Sequence, residues 1–131
     1  MYAEIGSETL YAKVYRGHAR TAALEWRWLQ MLPSLGIATA QPVAWLASQN
    51  KSLIVTLGVQ GRSFDAWLVD AAAEGWLAEV FGYACRELAP FVRRLHDQGL
   101  IHRDLNCPHV FTTDPRSAGQ PAVIDVERMF R

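Results

Sequence analysis

The order of predicted elements places this chain in the α+β class: strands and one helix come first, then helices, then a small hairpin. Three observations carry that assignment. Leu10 to Arg16 alternates at the two-residue period of a strand, and two further strand candidates follow at Pro42 to Ala47 and Ser52 to Leu57. Residues 21–32 and 75–98 instead carry apolar side chains at helical spacing. The last third holds short apolar runs divided by turn residues, with no alternating βαβ units. A length of 131 residues fits one domain around one core.

Tyr2 to Ile5 and Leu10 to Arg16 read as a hairpin turned by Gly6-Ser7-Glu8. In the second strand Tyr11, Lys13 and Tyr15 share one face, while Leu10, Ala12 and Val14 share the other. The helix expected from Thr21 to Leu32 takes Thr21 as N-cap and ends at Pro33 and Gly36. Glu25, Trp28, Leu29 and Leu32 fall at i, i+3, i+4 and i+7, so a carboxylate sits on an otherwise apolar stripe. Gln49-Asn50-Lys51 turns between the next two strands, and Gly58 and Gly61 end the pattern. Ser63 reads as N-cap of a short helix through Val69. A long helix is expected from Gly75 to Gln98 with Gly99 as C-cap; Pro90 either kinks it or separates two helices meeting near Ala89. Val110-Phe111-Thr112 and Ala122-Val123-Ile124 read as short strands, the second delivering Asp125 at its end.

Half the residues are apolar and the acidic and basic side chains balance at 13 each. That is ordinary globular composition, without the basic excess of a nucleic-acid-binding chain. Arg86, Arg93 and Arg94 form a local basic group that reads as a solvated helix face. Cys85 and Cys107 make no disulfide framework, no run approaches the length of a membrane span, and the N-terminus lacks a signal-peptide pattern. The expectation is a reduced, cytoplasmic protein. Five tryptophans point to a core of large side chains or a surface that meets a partner.

The residues able to carry chemistry cluster at two places. Asp104 follows His102-Arg103 directly after the long helix, and Asp125 comes 21 residues later at a strand end. Two loop carboxylates held by a hairpin suit a divalent cation plus a proton acceptor. His109, between them, is placed to ligate a metal or stabilise charge. Upstream, Lys13 on a strand and Glu25 on the inward helix face are placed to pair, and a lysine so held suits phosphate oxygens. Each has a plainer reading: loop caps for the aspartates, a solvated lysine, a structural histidine. Cys85, His102, Cys107 and His109 match no standard zinc spacing.

His102-Arg103-Asp104 resembles the catalytic loop of protein-kinase-like folds, and Asp125 after Val123-Ile124 resembles their metal-binding aspartate. An HRD tripeptide, four residues and a histidine, followed by Ile-Asp, two residues and an arginine, is similar to the bacterial lipopolysaccharide (Kdo/heptose) kinase family. Leu10 to Arg128 falls within the resemblance. It implies a protein-kinase-like α+β fold in one domain, 1–131. Residues 1–58 would form a small antiparallel sheet with one helix, and 59–131 a mainly helical partial C-terminal lobe carrying the catalytic-loop hairpin. It further implies ATP and Mg2+ as cofactors and a lipopolysaccharide-core sugar as acceptor. Asp104 would be catalytic with His102 and Arg103. Lys13 and Glu25 would bind the nucleotide, Asp125 and His109 the metal, and Thr56 to Gly61 would be the hinge. Peripheral contact with the inner face of the inner membrane stays open.

Two departures stand out. Before the lysine strand Gly6 is the lone glycine, so no phosphate-covering loop is identified, and Tyr11 stands where such folds keep a small residue. The chain stops six residues after Asp125, which predicts apolar patches and self-association into a homodimer. Two functional classes follow: a sugar phosphotransferase, or a catalytically inactive kinase-like binding module.

Overall fold

The computed structural model describes residues 2–5, 8–17 and 19–131. A four-stranded antiparallel sheet has the order β1-β2-β4-β3, with β1 Tyr2–Ile5, β2 Glu8–Arg16, β3 Pro42–Ala47 and β4 Lys51–Leu57. Of the turn expected between β1 and β2, Gly6 and Ser7 lie outside the described residues. β2 runs against β4 with Lys13 opposite Ile54 and Tyr11 opposite Thr56. The reverse turn between β3 and β4 closes where the sequence places it, with Ser48 N–H donating to the Lys51 carbonyl at 2.8 Å.

Helix α1, Ala19–Met31, crosses one face of this sheet. Thr21 therefore lies inside the helix rather than at its N-cap. The apolar stripe predicted from spacing is the buried face: Leu29 and Leu32 are at most 2% exposed, and Glu25 goes in with them at 5%. Each large side chain buried here stabilises by about 1.5–3 kcal/mol. Gly36 ends the following 3-10 turn, Leu32–Leu35, in the left-handed region, with its N–H bonded back to Leu32 and Pro33.

Below the sheet lies a mainly helical part. The short strand β5, Arg62–Ser63, leads into α2, Phe64–Glu74, and α3, Leu77–Tyr83. Ser63 precedes α2 in extended conformation but makes no side-chain cap, being paired with Phe111 of the next sheet. The sequence puts the end of this helix at Val69 and starts the long one at Gly75; Gly75 instead terminates α2. The run Ala71-Ala72-Ala73-Glu74 carries the helix on, and glycine then takes the left-handed geometry that closes it, donating to the Ala71 carbonyl. The long helix runs through α3, a π turn at Ala84–Leu88 and α4, Ala89–Asp97. Pro90 has no N–H for the carbonyl four residues back, and the turn just before it is the widened one. Tyr83, Phe91 and Leu95 from this unit are buried with Leu100, Val110, Val123 and Val126 in one core continuous with the α1 stripe.

Strand β6, Ile101–His102, pairs with β9, Met129–Phe130, while β7, Val110–Thr112, lies between β5 and β8, Ala122–Val123. Val123 also bridges to Thr39, and Thr39 Oγ1 donates to the Val123 carbonyl at 2.7 Å, so the segment leaving α1 is fastened to the hairpin. Among the described residues, no helix is long and apolar enough to cross a membrane. Both cysteines are free and exposed.

Candidate active site

Three chain segments far apart in sequence meet under the sheet. Lys13, on the inward face of β2, projects toward α1 and toward the turn that follows β8. Its Nζ donates to Asp125 Oδ1 at 2.8 Å and to Glu127 Oε2, and lies 3.6 Å from Glu25 Oε2. Tyr15, two residues along the same face, donates its hydroxyl to Glu25 and lies 3.3 Å from Glu127 Oε2. Burial works to lower the Lys13 ammonium, but its bonds to Asp125, Glu127 and Tyr15 and the charge of Glu25 outweigh it, leaving the lysine well above its ordinary value. Burial is also the leading influence on Glu25. It pushes that carboxyl up, with Glu127 and Asp125 adding to the rise and Tyr15 and Lys13 opposing it.

Asp125 owes its direction to its backbone. At φ 56° and ψ 50° it is the non-glycine residue with positive φ among those described. A strain of about 1–3 kcal/mol is expected for such a residue and persists only where neighbours hold it. Here Ile124 N–H donates to the His109 carbonyl at 3.0 Å on one side, and a 3-10 turn, Val126–Arg128, begins on the other. Val126 is fully buried and fixes that turn. From it Glu127 reaches up to Lys13, and Arg128 reaches the other way to both Asp104 oxygens at 3.0 and 3.1 Å.

The loop bearing Asp104 is organised by its histidines. His102 is buried and bonds the Ile124 carbonyl through Nε2 at 3.0 Å, while its Nδ1 accepts from Asp104 N–H at 3.2 Å. One neutral tautomer satisfies both bonds. His109 Nδ1 donates to the Asp104 carbonyl at 2.7 Å, which turns Nε2 toward Asp125 Oδ2 at 3.2 Å. That nitrogen either donates as imidazolium or offers its lone pair to a cation seated beside the carboxylate. Arg103 is directed elsewhere: its guanidinium lies over the Phe130 ring, 5.0 Å from the centroid. His102 is engaged at both nitrogens, and Cys85 and Cys107 are free and exposed.

A cavity of about 290 Å³ opens beside Lys13. Leu29, Ala40, Ile54, Val59, Phe111 and Ile124 give it apolar walls, and Lys13, Glu25 and Asp125 close one end. Such a volume, apolar with a few convergent polar groups, is the usual form of a small-molecule pocket. Gly58 is packed against Tyr11, and a Cβ there would lie 2.9 Å from the tyrosine ring. Tyr11 thus lines the cavity beside Gly58, on the face of β2 shared with Lys13.

Residues 3–131 match the lipopolysaccharide kinase (Kdo/WaaP) family. The chain belongs to that family. Among curated proteins no match is found. The lipopolysaccharide kinase assignment covers nearly the whole chain, and of the residues carrying the sequence resemblance Lys13, Glu25 and Asp125 meet in one cluster, His109 links Asp125 to the Asp104 carbonyl, Arg128 pairs with Asp104, and Arg103 lies apart over Phe130. Sequence reasoning missed Glu127 and Tyr15 as site residues and Arg128 as the partner of Asp104. Tyr15 was signalled by sharing the Lys13 face. Glu127 had no periodic signal, because the left-handed residue before its turn resets the direction of everything after it.

Proposed function

We propose that the chain is an ATP-dependent phosphotransferase that moves a phosphoryl group to a hydroxyl of a lipopolysaccharide-core sugar. The observation that carries this reading is the meeting of Lys13 and Asp125, 112 residues apart, at the polar end of an otherwise apolar cavity. The sheet with α1 acts as the N-terminal lobe, residues 1–58, and the remainder as the C-terminal part, with the segment around Gly58 as hinge.

The apolar walls take the base, and Lys13, braced by Glu25, takes the α- and β-phosphates. The donor set fits magnesium: Asp125 and Glu127 offer hard carboxylate oxygens within 4.8 Å of Glu25, and His109 Nε2 lies 3.2 Å from the other Asp125 oxygen. Magnesium bound there supplies neutralisation of charge on the phosphate oxygens. Asp104 accepts the proton of the acceptor hydroxyl as its oxygen bonds to the γ-phosphorus and the bond to ADP breaks. Arg128 and the two histidines act on that carboxylate by position, fixing its side chain and its loop.

The test is phosphate transfer from ATP to a lipopolysaccharide-core oligosaccharide, followed by detection of the phosphorylated sugar. Asp104→Asn is expected to lower kcat by roughly 10²–10⁴-fold while leaving nucleotide affinity unchanged. Wild-type protein that binds ATP and acceptor yet forms no phosphosugar would overturn the reading.

A further inference from the structure

Strand β4 runs Leu53-Ile54-Val55, apolar on both of its faces, which is the pattern of a strand covered on both sides. Helix α1 covers the inner side, where Ile54 is buried and Trp45 meets Trp26. The outer side carries the opposite parity of the register. There Val14, Leu53 and Leu46 form one row across three strands, Val55 and Ala44 lie in the next, and Leu10 lies beyond. Val14 is 52% and Leu46 64% exposed, and none of these six side chains joins the core. An antiparallel sheet with one solvated face ordinarily turns polar residues outward. This face is apolar through its middle, and charges mark its ends: Arg16 and Lys51 lie opposite each other at one end, and Glu8 begins β2 at the other. All three are exposed.

We propose that this outer sheet face is the surface through which two copies of the chain pair, sheet against sheet. The proposal is independent of the nucleotide reading, because Lys13 and the cavity belong to the inner face. Two apolar sheet faces pack about 10 Å apart with their strands closely aligned. A two-fold axis lying in the interface and perpendicular to the strands sets Arg16 and Lys51 of each copy against Glu8 of the other. An axis along the strands would set like charges together, so the charges select the first arrangement. The same acidic end disfavours an anionic membrane as the cover, since Glu8 would meet charges of its own sign. At about 4.8 Å between strands and 3.3 Å per residue, the sheet has a planar footprint of roughly 400 Å². Ridged by side chains, two such faces bury on the order of 1,000 Å², the size of a reversible dimer rather than an obligate one. Strands β2 and β4 supply the centre of that footprint, and Leu46 on the edge strand falls at its rim.

The experiment is analytical ultracentrifugation of the full chain at concentrations up to about 100 µM, the range a small interface requires. Wild type should pass from 14.7 kDa toward twice that mass as concentration rises. Val14→Lys, at an exposed site in the middle of the face, should weaken pairing by about tenfold or more while leaving binding of Mg-ATP unchanged. Should Val14→Lys not fold, Val14→Thr keeps the branched shape, adds a hydroxyl to the same place, and should weaken pairing by about threefold. Glu8→Lys should weaken it by roughly threefold at low salt, and adding Arg16→Glu and Lys51→Glu to that variant should restore it. Wild type that stays monomeric at the highest concentration overturns the proposal, as does a folded Val14 variant that pairs as tightly as wild type. A Glu8→Lys protein that pairs as wild type does overturns the orientation on which the proposal stands. Co-sedimentation with phosphatidylglycerol vesicles reads the other occupant: monomeric wild type that binds them, with binding lost in Val14→Lys, assigns the face to a membrane and overturns pairing.

Discussion

Glu25 shows how a single side chain ties stability to the site. It lies on the buried face of α1 because helical spacing puts it there, and its carboxyl is raised by burial first and by Glu127 and Asp125 after that. A group raised in the folded state holds its proton more tightly there. Its contribution to stability is therefore fully present below the ordinary value of 4.5 and is lost as pH rises through the higher folded value. Glu25→Gln keeps an oxygen for the Tyr15 hydroxyl and removes the titration. The melting temperature of the variant should exceed that of wild type most at neutral pH and converge with it toward pH 4.5; parallel profiles from about pH 4 to 8 would contradict this origin of the shift. Lys13, Glu25 and Asp125 were legible in the sequence because strand alternation, helix spacing and a short motif each fix a direction. Glu127 was not, since a left-handed residue and a 3-10 turn lie between the motif and its side chain.

At the scale of elements, turns decide where segments stop. Gly75 and Gly61 both have positive φ, yet they differ in surroundings. A Cβ at Gly75 meets nothing within 4 Å, whereas one at Gly61 would overlap the backbone of Thr112 and Thr113. Gly75→Ala should cost about 1–2 kcal/mol, the strain of left-handed backbone alone. Gly61→Ala should cost more, roughly 2–5 kcal/mol, because β5 must also separate from β7. Urea midpoints for the two variants give the order directly, and equal losses would refute it. Strands β3 and β4 were predictable nearly to the residue, from two largely apolar runs around a polar turn. The boundary between α2 and α3 was not: alanines favour helix on both sides of Gly75, and local propensity does not say whether glycine starts a helix or ends one.

For the whole molecule, one core links the sheet, α1 and the helices below it, so substitutions in either part should reduce a single cooperative transition. Leu95→Ala, at a fully buried position, should cost about 2–5 kcal/mol. Leu46→Ala, at 64% exposure on the edge strand β3, should stay within about 0.5 kcal/mol. Denaturant unfolding followed by tryptophan fluorescence measures both. The α+β class was readable from element order, but the junction of sheet and hairpin was not. It depends on contacts such as Thr39 with Val123 and Lys13 with Asp125, whose long separation leaves no periodic trace.

That junction is where a nucleotide is proposed to bind, and the most direct measurement is the melting temperature with and without Mg-ATP, for wild type and Asp125→Ala together. A ligand that binds the folded state alone at about 100 times its Kd adds about 2.7 kcal/mol, which raises the melting temperature by several degrees in a domain of this size. The predicted result is a magnesium-dependent rise in wild type that is absent in Asp125→Ala. No rise in wild type, or the same rise in both proteins, would contradict a nucleotide site built on Asp125.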